Sequence, residues 1–348
     1  MGQQTVGIIT YKVPGLKPWD PDTIHRGITG SEEAVIYVSQ KLAAIGFKVV
    51  VFGDPPPDSV HSSSISNPRF MSLDRPYPGS LDIAISWRMP HIAKELKRHV
   101  PKVYFWPADT MDRRLPKEMI EAFDGVLWLS EWQRKQWMSI NPAFADFTSV
   151  FGNGINPEDF QDVQERENPY SCIYGSNYAR GLEIMLDIWP AVKEQYPQAT
   201  LDIYYGWQHW GCLSPEKEEK MREQIPRLKD VCDHGLVGHL ELNRAYGQAS
   251  FWTYPCIRPE TFCITAIRAQ MSGAIPVIIE GSALSETVKH GYKCHDRNAY
   301  LSTLISAMSA AKSIGLDDRR KMKEFILQEY TWEKIAAGWQ KLFNENNK

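Results

Sequence analysis

The sequence holds no apolar run approaching the ~20 residues that a membrane-spanning helix needs, so none is expected. It has no excess of basic charge either. Lys and Arg number 39 against 42 Asp and Glu, for a formal net charge of -3. That is not the footprint of a nucleic-acid binder. Cysteine is sparse and unpatterned: Cys172, Cys212, Cys232, Cys256, Cys263 and Cys294 fall without C-x-x-C spacing. Such scatter argues against a zinc site and a disulfide framework, and fits reduced thiols. The first residues lack a basic stretch followed by a long apolar one, so no signal peptide and a cytoplasmic location are expected. Repeats and low-complexity tracts are missing. So is a G-x-G-x-x-G followed by an acid about 20 residues on, the dinucleotide fingerprint.

What is present is ordinary in bulk and unusual in one respect. Apolar residues make up 43% of 348 and charged residues 23%, a globular balance in a chain longer than one core usually organises. Two domains are therefore expected. Tryptophan is abundant, with 12 copies; most should sit in cores or pocket walls, because the ring buries much area.

Strand-like and helix-like segments alternate along the chain. Thr5 to Thr10 reads as a buried strand. Glu33 to Ile45 has apolar residues at helical spacing and is stopped by Gly46. Lys48 to Phe52 is the next strand, followed by a Pro/Ser-rich loop from Asp54 to Ser66. Leu81 to Trp87, Val103 to Trp106 and Gly125 to Ser130 continue the series. After turn residues at Asn153 to Phe160 the rhythm restarts: strands at Ser171 to Tyr174, Thr200 to Tyr205, Gly235 to Val237, Phe251 to Tyr254 and Ile275 to Ile279. Helices fall at Gly181 to Gln195, Glu241 to Gln248 and Ile264 to Ser272. This is the pattern of two doubly wound parallel sheets. The expected divisions are 1–155, 156–330 and a C-terminal helix in 331–348 that packs on either domain. Ligands of such sheets bind outside the carboxyl ends of the strands, so two domains facing each other would place a site in the cleft between them.

Three loops at such ends carry chemistry. His25 to Glu33 (HRGITGSEE) offers Gly27, Gly30 and Ser31 before a helix N-terminus, a place that favours an anion or simply a Ser cap. In Tyr174 to Leu182 (YGSNYARGL), Arg180 sits at a helix start, where the dipole disfavours a cation. That placement suggests a ligand anion, which arginine's fork suits; pairing with Glu183 is the bland alternative. In Arg258 to Gln270 (RPETFCITAIRAQ), Glu260 opens a helix. It can accept from sugar hydroxyls or merely complement the dipole. The one D-x-D, Asp20-Pro21-Asp22, lies in a Pro-rich turn and is not assigned to metal.

In order and spacing these pieces resemble the retaining nucleotide-sugar glycosyltransferases of family 4, whose fold is the two-Rossmann GT-B fold. The segment NGINPEDF resembles the family's domain junction, and GSNYARGLEIMLDIWPAV its strand–basic-Gly–helix element. PETFCITAIRAQMSGAIPV resembles its donor motif, and GITGSEE its G-G-x-E, with Glu33 at the Glu position. The resemblance implies that Glu260 contacts the donor sugar and that Arg180, with the helix beginning at Gly181, holds the diphosphate. Gly30 and Ser31 would close over the phosphates. Ser176, Asn177, Thr261, Phe262 and Cys263 would line the donor site. Asp109, in YFWPADT, falls where such enzymes place polar residues near the reacting sugar carbon. An acceptor (glycan, lipid or protein) would meet the N-terminal domain through Trp19, His25 and Arg113, and no metal or other cofactor is expected. Two departures stand out. Arg268 occupies the second Glu position, whose carboxylate accepts from ribose hydroxyls; arginine has no acceptor. Ser176 or Asn177 stands where a first cation is common. A catalytically weakened nucleotide-sugar binder, or another two-Rossmann nucleotide-sugar enzyme, therefore stays open.

Overall fold

Short runs of Val, Ile and aromatic residues become buried parallel strands, the inner ones paired with neighbours on both sides. In the computed structural model the described residues are 2–12, 15, 17–160, 166–207 and 213–345; Cys212 lies outside them. The chain divides into two units: Met1–Ile24, Ile28–Gly154 and Tyr330–Lys348 form the first, His25–Gly27 and Ile155–Glu329 the second.

The first unit holds β1 (Thr5–Ile9), β2 (Lys48–Gly53), β3 (Arg69–Ser72), β4 (Ile83–Trp87), β5 (Lys102–Trp106) and β6 (Gly125–Val126), in the order β3-β2-β1-β4-β5-β6. Its register sets Val6 beside Val49 and Ile83. Helix Gly30–Ala44 follows β1. The last helix, Trp332–Glu345, belongs to this unit. Its Trp339 meets Trp106 edge-on at 4.9 Å, and Phe343 lies 4.7 Å from Tyr104. All four rings are buried. Each such ring contributes a few kcal/mol of hydrophobic stabilisation, of the order of 2–3. Gly154, in the junction motif, passes so close to the backbone of Trp332 that a Cβ would lie 2.5 Å from its amide nitrogen.

The second unit holds β7 (Ser171–Gly175), β8 (Thr200–Tyr204), β9 (Val231–Gly235), β10 (Phe251–Tyr254), β11 (Ile275–Ile279) and β12 (Tyr292–Cys294), in the order β12-β11-β10-β7-β8-β9. Counted from its own first strand, this is the order of the first sheet. Both are Rossmann-like. In each, the chain reverses direction across the sheet between the first and fourth strands, β1/β4 and β7/β10. That reversal leaves a crevice at the strands' carboxyl ends.

Two expected strands move. The one expected at Gly235 to Val237 is β9, ending at Gly235, because the apolar Leu236 and Val237 lie beyond a left-handed glycine (φ 70°). The one expected at Gly125 to Ser130 stops at Val126; Ser130 caps the next helix, its hydroxyl accepting from the Gln133 amide at 3.0 Å. Among the described residues no helix is long and apolar enough to cross a membrane.

Candidate functional site

In the second unit the crevice at β7/β10 is built by the two loops that leave those strands. Gly175 ends β7 against the Tyr246 ring, with no room for a Cβ. The chain then turns through Ser176 and Asn177, whose side chain accepts from the Ala179 amide at 2.9 Å. Arg180 ends the short turn Tyr178–Arg180. Gly181 takes φ 106°, which favours glycine, and its Cα abuts the Pro255 carbonyl. Helix Leu182–Gln195 starts there with no side-chain cap. The loop after β10 delivers Glu260, and helix Ile264–Met271 follows it, also uncapped by a side chain, with Cys263 in the left-handed region (φ 76°). Two helix starts with open amides thus follow neighbouring strands, and such amides favour an anion.

The two loops are joined by charge. Arg180 Nη1 donates to Glu260 Oε1 at 2.9 Å and to the Pro259 carbonyl at 3.3 Å. The Tyr254 hydroxyl donates to the same oxygen at 2.5 Å, and the Cys256 thiol lies 3.8 Å from it. The Glu260 backbone is fixed from β11's loop: its amide donates to Ser282 Oγ at 2.8 Å, and its carbonyl accepts from the Ala283 amide at 3.1 Å. Glu260 is buried, while the Arg180 side chain is 35% exposed. All side-chain bonds to Glu260 fall on Oε1, so Oε2 keeps its acceptor capacity. Those of Arg180 use Nη1, so its other donors keep theirs. Burial, the largest influence, works against the Arg180 charge, but Glu260, Tyr254 and Cys256 together outweigh it and hold the guanidinium pKa above its ordinary value. Burial, reinforced by Glu260, pushes the Tyr254 hydroxyl and the Cys263 thiol well above theirs. Both stay protonated at neutral pH.

The remaining residues expected at the donor site divide. Ser176 Oγ lies 3.4 Å from the Tyr254 hydroxyl and so joins the cluster. Thr261 is half-buried beside Glu260. The Phe262 ring is buried, a core position rather than an open pocket wall. Cys263 packs at the edge of the core. Arg268 is buried and donates to Asn243 Oδ1 at 2.7 Å; Asn243 in turn donates to the Asp159 carbonyl. The bland pairing of Arg180 with Glu183 is not what forms, since Glu183 pairs with Lys217 at 2.9 Å.

In the first unit a second cluster sits at the β1/β4 crevice. Arg88, the first residue after β4, has φ 63°. A non-glycine residue there costs of the order of 1–3 kcal/mol and marks functional sites. Its guanidinium lies over the Trp87 ring at 4.5 Å, and its Nε is 3.1 Å from Asp109 Oδ2. The Asp109 carbonyl is gripped by Gln133 Nε2 at 3.1 Å and Trp137 Nε1 at 3.0 Å, which leaves its carboxylate 59% exposed. Glu32, on the first turn of helix Gly30–Ala44, is fully buried. Its Oε2 accepts from Thr29 and, at 2.8 Å, from Ser31, while Oε1 has no partner. Burial raises the Glu32 pKa, and Arg88 opposes that rise without cancelling it. Ser31 is thus spent on Glu32 rather than free for a phosphate. Glu32 and Arg88 were not singled out from sequence. The mismatch of a charged residue closing the apolar run IAISW was the available signal.

The residues expected at an acceptor are less coherent. Trp19 is buried, its ring set edge-on to Phe70 with centroids 6.0 Å apart, so it is core and offers no face to a sugar. Arg113 is exposed, with its carbonyl held by Asn141. His25 belongs to the second unit, where its carbonyl presses on Gly238, and Gly27 (φ 96°) on Leu236 and Val237.

No family model matches the chain, and no curated protein matches it significantly in sequence. Solved structures do match. A sucrose-phosphate synthase from Thermosynechococcus elongatus superposes with a TM-score of 0.75 at 16% identity, over 99% of both chains. A glycosyltransferase from Rickettsia africae ESF-5 gives 0.75 at 11% identity, over the whole of both. HepE of Anabaena, solved in complex with UDP and glucose, gives 0.72 at 13% identity, over 99% of this chain and 100% of its own. At these identities the likeness is one of architecture: over its whole length the chain has the two-Rossmann GT-B fold.

Proposed function

We propose that the protein is a glycosyltransferase that moves a hexose-type sugar from a nucleoside-diphosphate sugar to a glycan, lipid or other acceptor, with retention and without a metal, in the cytoplasm. One observation carries the reading: the Arg180–Glu260 pair at the β7/β10 crevice, flanked by two helix starts that no side chain caps. A diphosphate needs a cation and aligned amides, and both are there. The second domain is then the donor side. Arg180 and the amides beyond Gly181 hold the diphosphate and take up its charge as it leaves, an electrostatic role. Glu260 turns Oε2 to the sugar hydroxyls, while Tyr254 and Arg180 fix its other oxygen. The first domain is the acceptor side, where Asp109, Arg88 and Glu32 offer acceptors and a donor suited to hydroxyl groups. The neighbours' UDP complexes support a nucleotide ligand by analogy of fold, which by itself does not carry function.

A second reading, a nucleotide-sugar binder with weakened catalysis, is favoured by Arg268. The resemblance calls for a ribose-binding carboxylate there, and the arginine is instead buried against Asn243. Thermal denaturation of the purified chain with each nucleoside diphosphate and its sugars tests both, because a ligand bound to the native state raises the melting temperature. A shift with one nucleotide series, followed by sugar transfer or slow hydrolysis of that donor, is the expected result. A shift without any turnover selects the second reading. No shift with any nucleotide overturns both.

A further inference from the structure

Away from the β7/β10 crevice, the open edge of the second sheet gathers a different set of groups. Asp202 on β8 pairs in register with Cys232 on β9, and His234 follows on β9. Between Ile203 and Tyr204 the register slips: β9 spends one residue more than β8, and His234 is that residue. A bulge of this kind re-aims a side chain. Here it brings His234 Nε2 to 2.7 Å from Asp202 Oδ1. The imidazole is fixed by stacking on Tyr204, with centroids 4.5 Å apart and rings 6° from parallel. The ligand atoms of Asp202, Cys232 and His234 all lie within 4.8 Å of one another.

These three groups face outward, with Cys232 and His234 exposed and Asp202 half-buried. Asp233, between them on β9, points its carboxylate to other work: Oδ1 accepts from Tyr178 at 2.5 Å and from the Gly235 amide, and Oδ2 from Trp207 at 2.8 Å. The outward cluster thus keeps its donor atoms uncommitted apart from one Asp–His contact. Its field is negative. Asp202 has no Lys or Arg partner among the described residues.

We propose that Asp202, Cys232 and His234 bind a divalent transition-metal ion of the zinc class at the edge of the second domain, separate from the proposed donor site. Thiolate, imidazole and carboxylate together suit zinc or cobalt rather than magnesium or calcium. Three protein ligands leave a position for water. Binding expels the Cys232 proton, so affinity rises with pH. Spacing in sequence hides the site, since Asp202 and Cys232 meet only through the strand register.

The test is titration of the chelator-treated full chain with Co2+, followed by absorption, with Zn2+ competition and melting curves alongside. One Co2+ per chain with a near-ultraviolet thiolate-to-metal band, displaced by Zn2+, is expected. Zn2+ should also raise the melting temperature. Cys232→Ser should lose the band, and His234→Ala should bind at least ~10-fold more weakly. Cys212→Ser, at the cysteine outside the described residues, should keep both. Absence of a thiolate band in the native chain, or its survival in Cys232→Ser, overturns the proposal. Circular dichroism of the exposed-site variants excludes misfolding as the cause. Nucleotide-induced melting shifts are read in the same variants: their failure would concern the donor site and not this one.

Discussion

The two sheets have the same strand order, yet the carboxylates at their crevices sit in opposite states. Glu260 is buried beside a cation, with one oxygen taken by Arg180 and Tyr254. Glu32 is buried with one oxygen unpartnered and its pKa raised. The Arg88 guanidinium that would neutralise it pairs with Asp109 instead. Topology therefore decides where a ligand can sit, and the loop residues decide what charge meets it. The second unit presents a compensated ion pair that an anion can join. The first presents a buried carboxyl whose pKa burial raises and which has one oxygen unpartnered.

If the compensated pair serves the donor, breaking it should cost most. Glu260→Ala and Arg180→Ala are each expected to lower turnover of the identified donor by ~10²-fold or more, a loss of ~3 kcal/mol of transition-state stabilisation. Steady-state rates with saturating donor measure this. Wild-type rates in either variant would remove that residue from the reaction and dissolve the contrast between the crevices.

The pair also makes a smaller, separate prediction about folding. Because Arg180 bonds a buried carboxylate, Arg180→Ala should destabilise the chain, by about 1–3 kcal/mol for the acceptor left without its partner. Adding Glu260→Gln should recover part of that, since the double variant strands no charge. Chemical denaturation of the two single variants and the double gives the coupling. Strict additivity would mean that the two side chains do not sense each other in the native state.

Much of this was legible from the sequence, and the rest was hidden for identifiable reasons. Val- and Ile-rich runs announced β1, β2 and β11, the aromatic run FWTY announced β10, and the glycine that breaks the pattern at Gly181 marked the loop that bears Arg180. The edge strands β3 and β12 were missed. Arg69–Ser72 and Tyr292–Cys294 are short and mixed in polarity, and an edge strand needs little apolar signal. Placing Arg180 and Glu260 at strand ends was possible residue by residue. Their bond was not, because it depends on β7 and β10 being neighbours, a fact of sheet order. The adjacent pair Glu32-Glu33 shows the same limit. Successive helical residues point about 100° apart, and only the packed helix shows that Glu32 is the one tied to Thr29 and Ser31. Trp19 failed as a sugar-stacking residue because composition counts aromatics without telling core from surface.

The smallest expected effect isolates Glu32. Its folded pKa is raised above the ordinary 4.5, so the native chain binds this proton more tightly than the unfolded chain does. Stability from that difference is fully present below the ordinary value. It is lost as pH rises through the folded pKa, because the native state must then hold a buried charge. Glu32→Gln keeps the shape and removes the titration. Relative to the native chain, it should grow more stable as pH climbs above 4.5. Denaturation midpoints of both proteins, followed from acid to neutral pH, record this. Parallel pH curves would mean that Arg88 compensates Glu32 as fully as Arg180 compensates Glu260, and the two crevices would then differ in sequence but not in electrostatic state.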